Sequence, residues 1–465
     1  MNIAVDPSSF RDPSGFIFAR DDTLFRQVQV SYRDDYDRLM GSGLYQALVG
    51  VDLLIPHSEE SAATGLTLDA YRVLRPQRLP FISYPYEWCF SQLKDAALAT
   101  LKIQKEAIRF GMSLKDASAY NIQFLNGKPV LIDTLSFEKY EEGRPWPAYR
   151  QFCQHFLAPL ALMSRTDIRL GLLLRTYIDG IPLDLASRLL PGRTRLNPGL
   201  LAHIHLHGAA QKRFEGSRLP SSGHESRMTK TALLGLIDSL EGVVRKQTWN
   251  PAGTTWADYY DQTNYSTEAM EAKRRLVGEM LDAVDPRPGT VWDLGANTGA
   301  FSRLASDRGA QTIAWDIDPA AVEKNYQTAR KAGEPRLLPL LVDLTNPSPD
   351  LGWDLQERRS LLRRGPADLL MALALVHHLA IGNNVPLGRV AQFLHGVGRW
   401  LIVEFIPKGD SQVQRLLSSR EDVFPDYTQE KFERAFRDYF EIVRSAAVPG
   451  SERTLYLVRA ATPSG

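Results

Sequence analysis

From about residue 266 to its end, the chain alternates short apolar runs with amphipathic stretches. The apolar runs predict five strands, over residues 290–294, 312–316, 337–342, 367–373 and 400–405. Apolar positions three and four apart predict helices over residues 266–283, 300–308, 320–331 and 385–397. This alternation predicts an α/β domain with a doubly wound, mostly parallel sheet, a Rossmann-like fold. Two closing strands, over residues 440–446 and 453–458, predict an antiparallel edge, because only a short turn at Pro449 and Gly450 joins them.

The first half of the chain has apolar content of its own and ends in a stretch without apolar periodicity. Residues 215–226 are rich in Gly, Ser and Pro and predict a linker or loop. A helix is predicted after it, over residues 230–244. With 465 residues, the chain is too long for one ordinary core. We therefore expect an N-terminal α+β region over residues 1–210, a linker and connecting helix over residues 211–255, and the α/β domain over residues 256–465.

The charges are nearly balanced, with a formal net charge of +1. No global field then attracts nucleic acid or an anionic membrane, and we expect no nucleic-acid partner. The two cysteines, Cys89 and Cys153, lie in dissimilar contexts and predict neither a disulfide framework nor a metal site. No apolar stretch reaches the roughly 20 residues of a membrane span, and the N-terminus lacks a signal-peptide pattern. These features predict a cytoplasmic protein without a membrane span.

The most informative motif is residues 291–299, Val-Trp-Asp-Leu-Gly-Ala-Asn-Thr-Gly, in which a predicted strand runs into a glycine turn. In an open parallel sheet, ligands bind beyond the carboxyl ends of the strands, where this turn lies. Gly295 and Gly299 let the backbone pass close to a ligand. Asp293 can accept hydrogen bonds from a cationic amine and would repel a pyrophosphate.

Two further acids stand at the ends of the next two predicted strands. Asp316 follows Asp293 by 23 residues, and a carboxylate there is placed to accept both ribose hydroxyls of a nucleoside cofactor. Asp343 follows the third strand and can hold the exocyclic amine of adenine. A hydride-transfer enzyme would share the ribose acid, but its phosphate-binding turn reads G-x-G-x-x-G, whereas these glycines are four residues apart. The pattern therefore favours a sulfonium nucleoside over a dinucleotide.

Together these residues resemble the motifs of class I S-adenosylmethionine-dependent methyltransferases, over about 200 residues up to the C-terminus. The resemblance implies S-adenosylmethionine as the cofactor. The residues it places around the cofactor are Asp293, Gly295, Asn297, Gly299, Asp316, Asp343, Leu344, Leu373 and Tyr265. Tyr265 either closes the pocket or packs beside a helix N-terminus. The alternative to the whole assignment is a doubly wound domain with purely structural acids at its strand ends.

Methyl transfer from a sulfonium needs little acid–base help, because positioning supplies most of the barrier reduction and the leaving group is neutral. A base is needed only when the acceptor carries a proton that must leave. The pair His377 and His378 follows the fourth predicted strand, and we favour His378 as that base. A His-His-Leu sequence there resembles the small-molecule methyltransferases of the class. The alternatives are a core histidine with a helix cap, and Glu404, which either faces the pocket or pairs with an arginine.

A second motif lies in the N-terminal half, over residues 114–137. Asp116 precedes Asn121 by five residues, and two apolar strands joined by a turn at Asn126 and Gly127 lead to Asp133. This resembles the catalytic and metal-binding loops of kinase-like phosphotransferases. The resemblance implies Asp116 as a base, Asn121 and Asp133 as magnesium ligands, and ATP as the nucleotide.

The N-terminal half also departs from that family's pattern. Leu114 stands where many such enzymes have His, and no glycine-rich phosphate loop is present. In the first predicted hairpin, Arg26 occupies the place of the expected lysine. These departures predict a degenerate kinase-like region, with an unrelated α/β segment as the alternative.

The two motifs together make the whole chain resemble a group of bacterial methyltransferases called nodulation-protein-like. The resemblance implies methyl transfer to an oxygen or nitrogen of a small-molecule or saccharide-like acceptor. Two other hypotheses stay open: a bifunctional kinase–methyltransferase with an active N-terminal region, and a non-catalytic protein that binds the cofactor only as a ligand.

Overall fold

The computed structural model describes residues 3–208, 228–252, 267–418 and 421–461. The chain folds into two compact units. The first unit comprises Met1–Asn250 together with Leu351–Arg358, and the second comprises Pro251–Asp350 and Arg359–Gly465. The predicted linker over residues 215–226 and the pocket candidate Tyr265 lie outside the described residues.

The first unit begins with an antiparallel sheet of five strands in the order β1-β2-β3-β5-β4. Its strands are β1 (Ile3–Val5), β2 (Gly15–Arg20), β3 (Thr23–Gln29), β4 (His57–Glu60) and β5 (Ala70–Pro76). Helices α1 (Arg33–Gly41) and α2 (Leu44–Val49) connect β3 to β4. Phe18, Val28 and Val73 are fully buried and contribute to the core of this sheet.

The rest of the first unit is mainly helical. Its helices are α3 (Phe90–Arg109), α4 (Tyr149–Phe152), α5 (Ala158–Arg165), α6 (Leu173–Thr176), α7 (Leu183–Leu189), α8 (Pro198–Leu200) and α9 (Lys230–Arg245). Short π-helical turns, Cys153–Leu157 and Leu201–Leu206, continue α4 and α8. The predicted helix over residues 230–244 is confirmed as α9.

Two small hairpins lie between α3 and α4. Strand β6 (Met112–Leu114) pairs with β9 (Phe137–Lys139), and β7 (Ile122–Leu125) pairs with β8 (Lys128–Leu131). Asn126 and Gly127 have φ angles of 52° and 75°, the left-handed pair that a two-residue hairpin turn requires. The predicted turn is therefore confirmed. Asp116 and Asn121 lie between β6 and β7, and Asp133 lies between β8 and β9.

The second unit is built on a seven-stranded sheet in the order β12-β11-β10-β13-β14-β16-β15. The strands are β10 (Thr290–Leu294), β11 (Gln311–Asp316), β12 (Leu337–Leu341), β13 (Ala367–Ala372), β14 (Gly398–Phe405), β15 (Phe440–Ala447) and β16 (Thr454–Ala460). The first five are parallel, and β16 runs antiparallel to both β14 and β15. The predicted parallel sheet with an antiparallel edge is confirmed.

One helix precedes β10, and helices follow each of the parallel strands β10 to β14. They are α10 (Thr267–Asp282), α11 (Ser302–Ser306), α12 (Pro319–Ala332), α13 (Leu361–Arg364), α14 (Leu387–Val397), α15 (Ser411–Leu417) and α16 (Gln429–Arg437). Val277, Met280, Val291 and Leu369 are fully buried between α10 and one face of the sheet. In the part of the chain that the structure describes, no helix is both long and apolar enough to cross a membrane.

The segment Leu351–Arg358 follows β12 in the chain, yet it belongs to the first unit. Arg11 donates two hydrogen bonds to the Glu357 carboxylate, at 2.6 and 3.0 Å. The Arg358 guanidinium lies 4.0 Å from the centroid of the Tyr120 ring. Tyr120 directly precedes Asn121 in the chain. Residues far apart in sequence thus complete the first unit, which no local pattern predicts.

Candidate active site

The glycine turn after β10 has a left-handed backbone, which its two glycines adopt readily. Gly295 and Gly299 have φ angles of 79° and 81°, and Asn297 between them has a φ of 50°. A Cβ on Gly299 would lie 2.5 Å from Asn325 Oδ1, so steric contact as well as backbone conformation requires glycine there. Neighbouring side chains therefore pack closely against the backbone of this turn.

Asp316, at the end of β11, organises this turn. Its carboxylate accepts the Asn297 N–H at 2.7 Å and the Asp318 N–H at 2.8 Å. Only 8% of the residue is exposed, and this burial raises the pKa of its carboxyl to about 6. A ribose hydroxyl can donate to such a carboxylate, as the sequence pattern predicts.

Asp293 is buried even more deeply, with 2% of its surface exposed. Its carboxylate accepts a hydrogen bond from Ser302 Oγ at 2.6 Å. Burial raises the pKa of Asp293 to about 7; the negative charge of Asp316 adds to this rise, and Lys273 opposes it. Within the described residues, neither Asp293 nor Asp316 forms an ion pair with lysine or arginine. Both acids are thus buried without direct neutralisation.

The other predicted cofactor residues lie at the same edge of the sheet. Asp343 follows β12 and accepts hydrogen bonds from the Thr345 N–H at 2.8 Å and Thr345 Oγ1 at 2.6 Å. These bonds fix its carboxylate at the strand end. Leu344 is half-buried, and Leu373, directly after β13, is 7% exposed. Their contacts with a cofactor stay a prediction.

His377 and His378 follow β13, with ring centroids 4.0 Å apart. His377 is 2% exposed, and its Nδ1 has no hydrogen-bond partner among the described residues. Burial lowers the pKa of His378 to about 4 and holds the pKa of His377 well below its ordinary value, helped by the nearby His378, Arg453 and Lys273. Both rings are therefore neutral at pH 7 and can accept a hydrogen bond, but the lowered pKa makes each a weaker base than an exposed histidine. His378 is the more accessible of the two.

Glu404, near the end of β14, lies in a buried charge cluster that sequence patterns did not reveal. Its carboxylate accepts a hydrogen bond from Lys273 Nζ at 2.7 Å, and Arg453 Nη1 lies 3.9 Å away. The Lys273 and Arg453 side chains are only 3% and 1% exposed. Glu404 therefore pairs with cations, as one of the two sequence hypotheses proposed. Lys273 and Arg453 lie 131 and 49 residues from it, beyond the reach of any motif.

In the first unit, the structure brings Asp116, Asn121 and Asp133 together. The Asn121 side chain bonds to Asp116 and donates to Ser136 Oγ at 3.3 Å, and Ser136 Oγ donates to Asp133 at 2.8 Å. Burial raises the pKa of the Asp116 carboxyl, and the charge of Asp133 adds to this rise. The arrangement agrees with the kinase-like resemblance.

Arg26 on β3 forms ion pairs with one of these acids, Asp133, and with Asp12. Its Nη2 lies 2.9 Å from Asp133 Oδ1 and 2.6 Å from Asp12 Oδ2, with the Arg26 side chain 13% exposed. The acid that the resemblance implies as a magnesium ligand is thus already paired with a cation. Across the described residues, no group of three or more His, Cys, Asp or Glu is arranged to hold a metal ion.

The second unit fits a cofactor with a cationic amine and a ribose. Two buried acids, which have no paired lysine or arginine among the described residues, lie at the carboxyl ends of adjacent strands, next to the glycine turn. Together with the strand order and the antiparallel last strand, they define a class I S-adenosylmethionine-dependent methyltransferase. Asp293, Asp316 and the glycine turn are the groups that would hold the cofactor.

No protein-family model matches this chain. It is 35% identical to the nodulation protein NoeA of Rhizobium meliloti (strain 1021) over an alignment 469 residues long. The alignment covers 96% of this chain and 94% of that protein. The chain therefore belongs to the NoeA family, and the resemblance to nodulation-protein-like methyltransferases is confirmed.

Solved structures of two methyltransferases are also similar to parts of the chain. Magnesium protoporphyrin IX methyltransferase (ChlM) from Synechocystis PCC 6803, with bound SAH, is 20% identical and covers 44% of this chain and 92% of its own, with a TM-score of 0.32. The bifunctional kinase–methyltransferase WbdD is 15% identical and covers 43% of this chain, with a TM-score of 0.29. This chain spans about two fifths (42%) of the WbdD chain.

Proposed function

We propose that this protein transfers a methyl group from S-adenosylmethionine to an oxygen or nitrogen of a small-molecule or saccharide-like acceptor. The observation that carries the proposal is the position of the histidine pair, which follows β13 at the same edge of the sheet as the two buried acids. A base is useful only for an acceptor that loses a proton, which favours O–H and N–H groups. A hydroxyl of a saccharide is such a group.

The residues of the second unit have distinct roles in this proposal. The bound sulfonium supplies an activated methyl group and a neutral leaving group. Asp293 faces the cationic amine, Asp316 accepts from the ribose, and Asp343 accepts from the adenine amine. Asn297, Gly295 and Gly299 shape the turn between them, and Leu344 and Leu373 bound the pocket. His378, and with less access His377, accepts the proton of the acceptor.

The saccharide-like acceptor is supported by the family. The relative in Rhizobium meliloti is named a nodulation protein, and the resemblance of the two motifs to nodulation-protein-like methyltransferases implies a carbohydrate or small metabolite as the acceptor. The two cysteines, Cys89 and Cys153, are free and buried, which is consistent with a reducing, cytoplasmic setting.

The test is methyl transfer from labelled S-adenosylmethionine to separated pools of nucleotide sugars, oligosaccharides and other small metabolites. We compare wild type with His378→Ala and with His395→Ala, a matched histidine on α14 that bonds only weakly to the Ala461 carbonyl, at 3.4 Å. Wild type and His395→Ala should label one small-molecule or saccharide pool. Loss of the base should lower kcat by about 10²- to 10⁴-fold. Full activity of His378→Ala, or label in protein alone, would contradict the proposal.

For the first unit, we propose a kinase-like fold without phosphoryl transfer, because Arg26 already neutralises Asp133. A bifunctional enzyme instead requires magnesium-dependent ATP turnover that is lost in Asp116→Ala. Incubating the protein with labelled ATP and magnesium, with and without the acceptor pools, separates the two hypotheses. A cofactor-binding protein without catalysis would bind S-adenosylmethionine and label none of the pools.

A further inference from the structure

The turn that carries the two histidines has an unusual backbone at Ala374, two residues after β13. Ala374 has a φ angle of 50°, in the left-handed region that is unfavourable for a residue with a side chain. Its N–H donates a hydrogen bond to Glu404 Oε2 at 2.7 Å. The Glu404 side chain is completely buried. This hydrogen bond therefore favours a turn conformation that alanine alone would avoid.

Two buried cations fix the Glu404 carboxylate itself. Lys273 Nζ donates to the same Oε2 at 2.7 Å, and Arg453 approaches the other oxygen. Arg453 is held in turn by Asp410, whose Oδ2 lies 2.8 Å from Arg453 Nε. A carboxylate between two anchored cations has little freedom to rotate, so it gives the Ala374 N–H a fixed acceptor.

The same cluster reaches the cofactor side of the site. The Lys273 ammonium lies 4.9 Å from the centroid of the Phe301 ring, two residues after Gly299. On the other side, Leu375 is so close to the glycine turn that a Cβ on Gly295 would lie 3.4 Å from Leu375 Cδ1. The histidine turn and the glycine turn are thus connected through Leu375 directly and through Glu404 and Lys273.

We propose that Glu404, oriented by Lys273, is a positioning residue for methyl transfer. It fixes the Ala374 turn and thereby sets where His377 and His378 stand relative to the cofactor turn. Glu404 does not itself exchange a proton with the acceptor, because its carboxylate is occupied by Lys273 and the Ala374 N–H. The inference deepens the proposed function, since it assumes that the histidine turn receives the acceptor.

Two double variants separate positioning from simple burial of charge. Glu404→Leu with Lys273→Leu removes both charges and also removes the acceptor for the Ala374 N–H. Glu404→Gln with Lys273→Met removes both charges but keeps an oxygen that can accept that N–H. Arg453 keeps its partner Asp410 in both. We call the first double variant the leucine pair and the second the glutamine–methionine pair. Because both lose the same charges, they differ chiefly in the hydrogen bond to the Ala374 N–H.

The first readout is hydrogen–deuterium exchange of the full-length protein, which needs no acceptor. In the leucine pair, the peptide over residues 373–379 should exchange about tenfold faster than in wild type, because opening of this turn loses its main restraint. The glutamine–methionine pair should stay near wild type, and strand β13 should be unchanged in both. Equal exchange of the turn in both pairs would overturn the proposal.

The second readout is the labelled methyl-transfer assay together with calorimetric binding of S-adenosylmethionine. The leucine pair should lose kcat by about a hundredfold, as misplacement of about 1 Å can do. Cofactor affinity should be the same in the two pairs, because both lack the Lys273 charge that favours ionised Asp293. The glutamine–methionine pair should recover about tenfold of that loss. Parallel loss of affinity, turnover and thermal stability would instead assign Glu404 a purely structural role. If wild type labels no pool, the proposed function fails, whereas the exchange result still decides the role of Glu404.

Discussion

Each unit has acids next to its loops, but the two units differ in whether a cation is paired with those acids. In the second unit, Asp293 and Asp316 are buried with no lysine or arginine paired to them among the described residues, and their pKa values are raised. In the first unit, Asp133 forms an ion pair with Arg26. A buried acid without a counter-charge is unfavourable until a cationic or hydrogen-bonding ligand arrives, whereas a paired acid is already satisfied. We therefore propose ligand binding at Asp293 and Asp316 and a structural role for Asp133.

The largest effect should come from Asp316. Asp316→Ala removes the predicted ribose acceptor and the anchor for the Asn297 N–H, so S-adenosylmethionine affinity should fall by about 3 kcal/mol, on the order of a hundredfold. Calorimetric titration of the purified protein measures it. Asp316→Asn keeps an oxygen for the turn and should lose less.

Asp133→Asn is the matched control in the first unit. It should leave S-adenosylmethionine affinity at the wild-type value, because Asp133 already has its cation. Unchanged affinity in Asp316→Ala would show that Asp316 does not hold the ribose, whereas tighter binding of NAD than of S-adenosylmethionine would favour the dinucleotide alternative.

The next effect concerns Arg26. Arg26→Met leaves Asp12 and Asp133 facing each other without a cation, and should lower the free energy of unfolding by about 2 kcal/mol, below the full cost for a completely buried pair. Urea unfolding followed by fluorescence measures this. Adding Asp133→Asn should restore about half of the loss. If Arg26→Met instead abolishes ATP turnover at unchanged stability, Arg26 serves phosphoryl transfer and the comparison is wrong.

These cases show what the sequence could and could not predict. Strand Thr290–Leu294 was predicted with its exact bounds, because a buried parallel strand is a continuous apolar run and Gly295 marks its end. Asp316 was predicted at its strand end for the same reason. The lysine partner of Glu404 was not predicted, since Lys273 lies on α10 and meets Glu404 only through the fold. The sequence also did not predict that Leu351–Arg358 belongs to the first unit. Hydrophobic periodicity does not indicate which core a connecting segment packs against.

A smaller effect is expected from pH. Asp293 has a folded pKa of about 7, above its ordinary value of 3.8, so it is largely protonated at low pH and ionised at high pH. Pairing with a cationic amine requires the ionised form. S-adenosylmethionine affinity should therefore fall about tenfold, about 1.4 kcal/mol, from about pH 7.5 to about pH 6.

Calorimetry in buffers of different ionisation enthalpy should show protons released on binding near pH 6. The unliganded protein should show the linked effect, with the contribution of Asp293 to stability fully present below pH 3.8 and lost as pH rises through about 7. Asp293→Asn removes the titrating group and should flatten the pH dependence of affinity. A slope that persists in this variant would assign the titration to another group, Asp316 first.

The smallest effect should come from an ion pair on the surface of the second unit. Arg308 meets Asp282 with two hydrogen bonds of 2.8 and 2.9 Å, a geometry as good as that of Arg26 with Asp133, but the two side chains are 31% and 51% exposed. Asp282→Asn should cost less than about 0.5 kcal/mol in urea unfolding, because water screens the pair and solvates either charge alone. If it costs as much as Arg26→Met, geometry rather than burial sets the value of these pairs. The contrast between Asp133, which is paired with a cation, and the unpaired Asp293 and Asp316 would then lose its physical basis. That contrast assumes that burial makes an unpaired carboxylate unfavourable.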